Sequence, residues 1–287
     1  MRRETTPFTP DTGSILVYTA PVDRYSLRNA PQQEGKRYMQ TAVTASWRRR
    51  LYDTYVSSGQ AGHQGESITP EQLFRPRKAY VGHLITHHLP QQRDSRIADL
   101  GCGHGALLYF LSRAGYTRIE GVDTSPEQIE LAHQLGISQA QLGDVAEFLA
   151  RHADGSLDAV LLMDVIEHLE PQELFDLLDS VQRVLVLGGT CLVHVPNAEG
   201  LYGMRVRYGD FTHRLAFTAK SANQIFRSLG FRKIETYEDK PVIHGAKSVV
   251  RRVLWDCLTF QHRLLLLAET GAGGAILSQN ILIRATK

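Results

Sequence analysis

Asp99-Leu-Gly101-Cys-Gly103-His-Gly105 follows a short apolar run, Arg96–Leu100, and opens an amphipathic stretch, Ala106–Ala114. A strand, a glycine-rich turn and a helix in that order form the entrance to an open α/β sheet, whose ligand crevice lies beyond the carboxyl ends of the strands. Glycine lets the backbone pass close under a ligand and take positive φ. The spacing here is G-x-G-x-G, not the G-x-G-x-x-G of dinucleotide sites. The carboxylate of Asp99 at the loop entrance would also repel a pyrophosphate on the helix N-terminus and attract a cationic group. The ligand expected in this crevice therefore has a positive end.

Outward from the turn, short β-branched or apolar runs alternate with amphipathic stretches, the pattern of βαβ units and a parallel sheet. Strands are expected at Arg96–Leu100, Arg118–Val122, Gln139–Leu142, Leu157–Met163 and Thr190–Val195, and helices at Ala106–Ala114, Pro126–Leu135, Val145–Ala150 and Pro171–Val186. Pro126 and Pro171 fall in first turns, where a missing N–H breaks no helical bond. A further helix, Ala219–Leu229, stops at Gly230 and precedes strands at Lys233–Tyr237 and Gln279–Ala285. The result is an α/β, doubly wound, seven-stranded sheet over residues 96–287. Upstream, residues 1–35 are rich in Pro, Thr, Gln and Arg and read as an extended or partly disordered arm. Residues 36–95 read as an N-terminal helical cap, with a second helix from Pro70 to His88, that packs on the sheet or covers one edge of the cleft.

Thirty-two Lys+Arg against 30 Asp+Glu leave a net charge of +2. No global field therefore favours nucleic acid or an anionic membrane. Cys102, Cys191 and Cys257 are too few and too far apart for a disulfide framework or a zinc knuckle, so a reducing, cytoplasmic compartment is expected. Met1–Ala20 carries acidic and proline breakers, and nowhere do about 18 apolar residues run together, so neither a leader nor a transmembrane segment is indicated.

Glu120-Gly-Val-Asp123 ends the second strand with an acid suited to two ribose hydroxyls. After the third strand, Asp144 can accept the exocyclic amino hydrogens of an adenine, with Val145 and Leu142 against the ring. One acid for a cation, one for a ribose and one for an adenine describe S-adenosylmethionine. Together with Gly143 and Met163-Asp-Val-Ile-Glu-His168, these stretches resemble the motifs of class I S-adenosylmethionine-dependent methyltransferases. That resemblance implies a Rossmann-like methyltransferase sheet of order 3-2-1-4-5-7-6 with its last strand antiparallel. It also implies S-adenosyl-L-methionine contacts at Asp99, Gly101, Cys102, Gly103, Gly105, Asp123, Thr124, Gly143, Asp144, Val145, Met163 and Asp164.

A sulfonium is already an activated methyl donor, so transfer needs mainly an in-line nucleophile held near the methyl carbon. An alcohol must also lose its proton, which a base or a metal assists. Candidates follow strands four and five: Asp164, Glu167 and His168, then His194, Asn197, Tyr202, Asp210 and His213. Asp164-x-x-Glu167-His168 is similar to the Glu-x-x-Glu-His of small-RNA 2′-O-methyltransferases and quinone-pathway O-methyltransferases. That similarity implies a magnesium ion held by Asp164, Glu167, His168 and His213, with Asp164 shorter than the family's first Glu. In the metal-free alternative His213 is a general base and His168 sits beside the cofactor; in a third, His213 anchors its loop. His194 reads as a core or cofactor-side group.

Val195-Pro-Asn197, Asp210–Thr218, Tyr52-Asp-Thr-Tyr-Val56, and Leu267–Gly271 with Ser278-Gln-Asn280 resemble bacterial methyltransferases of surface-glycan and glycosylated-metabolite pathways. This second resemblance implies O-methylation of a sugar hydroxyl on a small-molecule or glycan acceptor, with acceptor-site insertions at 197–218 and 241–277. An RNA or quinone-type O-methyltransferase and a non-catalytic cofactor-binding partner protein are the alternatives. No nucleic-acid partner is expected, because no Lys/Arg-rich stripe is present to meet phosphates. Lys247–Ala268 is an amphipathic helix expected to lay its Val and Leu side on the sheet and wall the acceptor pocket. Peripheral membrane contact through that helix and a homodimer stay open.

Overall fold

The computed structural model describes residues 47, 48, 50–52, 54, 57 and 69–287. The expected arm over residues 1–35 lies outside the described residues, as does most of 36–68; positions 47, 48 and 50–52 are helical. Seven strands form one sheet: β1 Arg96–Leu100, β2 Arg118–Asp123, β3 Ala140–Leu142, β4 Leu157–Met163, β5 Leu185–Pro196, β6 Lys233–Glu238 and β7 Asn280–Thr286. Their order is β3-β2-β1-β4-β5-β7-β6, with β7 antiparallel to both neighbours and the other pairings parallel. This is the order the family resemblance implies.

Helices cover both faces, which is why the central strands read as nearly unbroken apolar runs. On one face α1 (Pro70–Phe74), α2 (Lys78–His87), α3 (Ala106–Arg113) and α4 (Pro126–Gln134) bury Phe74, Leu84, Leu108 and Ile129. On the other, α5 (Val145–Ala150), α6 (Pro171–Val184) and, beyond the short α7 (Gly203–Arg207), α8 (Ala219–Ser228) bury Phe148, Leu178 and Phe226. In α6, Pro171 occupies the first turn and Glu170 and Glu173 form a reciprocal capping box. Its Leu174, Leu178, Val181 and Val184 then recur on one buried stripe, so Leu178→Ala should cost about 2–5 kcal/mol.

Three elements depart from the sequence reading. The helix expected over Pro70–His88 is interrupted by a 3-10 turn, Arg75–Arg77, because Pro76 has no N–H to continue the α-helical ladder. The fifth strand begins at Leu185, which pairs with Leu157; residues 186–189 then bulge out, with Gly188 at φ +79°, before Thr190 pairs with Ala159. The third departure is α9 (Ala246–Thr270), whose polarity is the reverse of that expected. Its buried residues are Ser248 and Thr259, whereas Val250, Val253, Leu258 and Leu265 face outward. Polar anchors decide this orientation: Arg263 donates to both oxygens of Glu238 at 2.8 and 2.7 Å and to the Thr259 hydroxyl at 2.7 Å.

The register Asp99↔Gly121 and Met163↔His194 brings the carboxyl ends of β1, β2, β4 and β5 to one rim. The strand order reverses between β1 and β4, so the crevice opens there.

Candidate functional site

Asp99, Asp123, Asp144, Met163 and Asp164 line a cleft of about 500 Å³ at this switch point, together with Gly101, Cys102, Gly103, Thr124 and Val145. Gly101, Gly103 and Gly105 have φ of +74°, +55° and +80°. A Cβ at Gly101 would stand 2.5 Å from Cγ2 of Val165, so both backbone and space require glycine there. The loop is fixed from below by the Gly101 and Cys102 amides, which donate to the Val122 carbonyl at 2.8 and 3.0 Å.

Asp123 ties two loops together: its Oδ2 accepts from the Gly103 amide and its Oδ1 from the Ser125 amide, each at 2.8 Å. One lone pair on each oxygen remains for hydroxyl donors. The Gly143 amide donates to the Asp123 carbonyl at 3.0 Å, placing the next loop. Asp144 is the N-cap of α5; its Oδ1 accepts from the Ala146 and Glu147 amides. The second carboxylate oxygen of Asp144 is thereby held in a defined direction. Asp99 is 2% exposed, and burial, reinforced by the nearby Asp123 charge, pushes its carboxyl up to about 7. A buried anion without a counter-charge is costly, and a cationic ligand group would relieve that cost.

The turn after β4, Ile166–His168, carries the second part of the site. Glu167 is fully buried, and neither carboxylate oxygen has a hydrogen-bond partner among the described residues. Burial, with the negative charge of Asp164 next, holds its carboxyl well above the usual range. The Glu167 carbonyl accepts from the Arg214 and Leu215 amides at 2.7 and 3.0 Å. These bonds draw the loop after β5 against the turn, and one ligand atom each from Glu167, His168 and His213 then lies within 4.8 Å of the others.

The hydrogen bonds behind the two imidazoles determine their tautomers. The Thr212 hydroxyl lies 2.6 Å from Asp210 Oδ1, and Asp210 is held ionised; a carboxylate can only accept, so the hydroxyl proton goes there. His168 Nδ1, 2.7 Å from the same hydroxyl, must then be the donor. His213 Nδ1 lies 3.0 Å from the Val206 carbonyl, again an acceptor. In their neutral forms both rings therefore present an Nε2 lone pair, and that of His213 is 3.9 Å from Glu167 Oε1. Burial, followed by the neighbouring His213, lowers His168 to about 4, so it is neutral near pH 7. One nitrogen of each imidazole and a carboxylate oxygen gathered this closely are donors of the types that share a proton or bind a divalent cation.

Asp164 does not join this group. It has φ +58°, the one positive value at a non-glycine among the described residues, and its carboxylate turns to His194. His194 is buried between Asp164 (Nδ1 to Oδ1, 2.6 Å) and Asp239 (Nε2 to Oδ2, 3.3 Å). Burial opposes its charge, but the two carboxylates prevail and raise its pKa well above the ordinary value. Of the four residues expected around a metal, the structure brings Glu167, His168 and His213 together and pairs Asp164 with an imidazolium instead.

For several participants nothing in the sequence signals the partner each one meets. Ser125 donates to the Tyr52 carbonyl at 3.0 Å, and the Tyr52 ring meets His168 edge-on at 6.4 Å. Burial pushes the Tyr52 phenol up to about 12. Asp239 and Thr212 are likewise distant in sequence from the groups they orient.

The methyltransferase domain family matches residues 73–236. A ubiquinone biosynthesis O-methyltransferase from Brucella anthropi is 32% identical over 164 residues, covering 50% of this chain and 64% of the relative. The ajmaline N-methyltransferase of Rauvolfia serpentina is 28% identical over 111 residues, 36% of this chain and 37% of the relative. The chain thus spans between about a third and two thirds of the length of these curated relatives. Among solved structures, a SAM-dependent methyltransferase from Archaeoglobus fulgidus superposes with TM-score 0.56 at 23% identity, covering 76% of this chain and 95% of its own. Phosphoethanolamine N-methyltransferase 2 of Haemonchus contortus, in complex with S-adenosyl-L-methionine, superposes with TM-score 0.51 at 16% identity, covering 72% of this chain and 52% of its own. With the seven-stranded order in place and more than half of the chain matched, the protein belongs to the methyltransferase domain family and has the class I S-adenosylmethionine-dependent methyltransferase fold.

Proposed function

We propose that this protein transfers the methyl group of S-adenosylmethionine to a hydroxyl oxygen, with a sugar of a glycan or glycosylated metabolite as acceptor. The observation that carries the reading is the buried, unpartnered carboxyl of Glu167 beside two Nε2 lone pairs. A neutral amine attacks through a lone pair it already has, whereas an alcohol becomes an effective nucleophile only as its proton is removed, so a base beside the acceptor counts most for oxygen. In the reaction the S–CH3 bond breaks, an O–CH3 bond forms, the hydroxyl proton passes to the His213–Glu167 pair, and S-adenosylhomocysteine leaves. Asp99 would face the cationic end of the donor, Asp123 its ribose and Asp144 its adenine. Gly101–Gly105 would carry the backbone beneath it.

The same three residues fit a divalent cation: one carboxylate oxygen and two imidazole nitrogens, each imidazole oriented by an oxygen behind it. Bound there, a cation would acidify an acceptor hydroxyl. This donor set suits manganese or another first-row ion better than magnesium, which prefers oxygen ligands. A quinone-type phenol is the second reading, favoured by the similarity to ubiquinone biosynthesis O-methyltransferases.

The test is transfer from methyl-labelled S-adenosylmethionine to a panel of sugar-bearing acceptors, a catechol and an amine. Label on a sugar hydroxyl, lost in Glu167→Gln, supports the proposal. Label on the catechol instead selects the second reading. Label on the amine alone, or no transfer to any acceptor despite cofactor binding, overturns both.

A further inference from the structure

We propose that the outward face of α9 is the self-association surface of this protein, pairing antiparallel with α9 of a second copy about a twofold axis. A surface helix ordinarily hides its apolar stripe and shows its polar one; α9 does the reverse. Nine large apolar side chains of this helix are exposed, about half of each open to solvent. Seven of them lie on or beside one seam, with Leu258 and Leu265 standing outside it; at roughly 100 Å² apiece those seven offer on the order of 700 Å² per copy, close to the ~800 Å² per partner of a standard interface.

The spacing of the face matches a helical partner. Val250, Val253, Cys257, Phe260, Leu264 and Leu267 recur at alternating intervals of three and four, the seam of a helix pair. At its middle, Val253, Asp256, Cys257, Phe260 and Gln261 line an open groove, a seat for the partner's central ring. An antiparallel arrangement brings Lys247 near one end of one helix opposite Glu269 near the far end of the other, and it opposes the two helix dipoles favourably.

Asp256 argues for protein over lipid as the occupant. It stands on the edge of the apolar face, paired with Arg252 at 3.0 Å and Lys240 at 3.4 Å. Insertion into acyl chains would strip water from this ion pair, whereas the rim of a helix pair leaves it wet.

Light scattering on the full chain should show a dimer. Phe260→Asp combined with Leu264→Asp should weaken it by about a hundredfold or more, with circular dichroism and cofactor affinity unchanged. Independently, Cys257 is exposed while Cys102 and Cys191 are buried, so a short bismaleimide should cross-link wild-type dimers through Cys257 and fail in Cys257→Ser. This second measurement stands even if the Asp variant does not fold. A chain that stays monomeric up to its solubility limit and is not cross-linked overturns the proposal. Flotation of that monomer with phosphatidylglycerol vesicles would assign the face to lipid instead.

Discussion

The imidazole Nδ1 of His194 lies 2.6 Å from Oδ1 of Asp164, and the Asp164 amide donates to the His194 carbonyl at 3.0 Å. Neighbouring strands thus hold one another by side chain and backbone at the cleft rim. The double tie keeps Asp164 at φ +58°, a conformation that costs a non-glycine residue about 1–2 kcal/mol.

His194 is the pH-sensitive half of that tie. Its folded pKa is raised, so its stabilisation is fully present below the ordinary value of about 6.5 and is lost as pH rises through the folded pKa. Asp164 is held low, chiefly by His194 overcoming burial, so its share disappears as acid protonates it. His194→Ala should lower stability by about 1–2 kcal/mol, discounted because Asp164 borders the open cleft. Urea melts of wild type and variant across pH should converge at alkaline pH. A constant gap would show that the charge contributes nothing.

Cofactor affinity should depend on pH through Asp99. Its carboxyl sits at about 7 in the free protein, and a cation beside it favours the ionised form. Affinity should therefore fall as pH drops below 7, by roughly tenfold per unit while the bound-state pKa lies well below. Titration calorimetry with S-adenosylmethionine at several pH values checks this, and Asp99→Asn should flatten the profile.

Asp123→Ala should weaken cofactor binding well over tenfold, since two hydrogen bonds to a charged acceptor are worth about 1.5–3 kcal/mol each. Asp123→Asn should be impaired as well, because one position would become an NH2 group facing either the Gly103 or the Ser125 amide. An Asn variant with wild-type affinity would remove Asp123 from the binding role.

Glu167→Gln and His213→Ala should each slow methyl transfer by ~10²–10⁴-fold with cofactor affinity nearly intact. If a metal ion is required, a chelator should abolish transfer, and manganese should restore it better than magnesium. A His213→Ala protein with wild-type turnover, insensitive to chelator, would leave orientation as the sole catalytic device.

Gly101→Ala should abolish cofactor binding and destabilise the β1 turn. Trimming the contact with Val165→Ala should recover only part of the loss, because the φ of +74° remains unfavourable for alanine. Full recovery in the double variant would locate the whole effect in packing.

The βα alternation, the glycine turn and the acids at Asp99, Asp123 and Asp144 were legible because each is a local event: a period of two or 3.6, a positive φ, a carboxylate at a strand end. The resemblance carried by those motifs also supplied the strand order. Glu167, His168 and His213 could be named from the chain, but not their relation to one another, since the bonds from the Glu167 carbonyl to the Arg214 and Leu215 amides bring residues 47 and 48 positions apart together.

Hydrophobic pattern alone placed the element now seen as α9, Ala246–Thr270, and showed that it has an apolar side; the tertiary structure decided which way that side points. The same holds for Asp164, which sequence spacing put with Glu167 and His168 and the fold gave to His194. The physical reason is common to both. Periodicity and residue type are set by bonds along the chain, whereas the direction a polar side chain takes is set by the partner it meets across the sheet, and Glu238 for α9 and His194 for Asp164 arrive only when the strands pair.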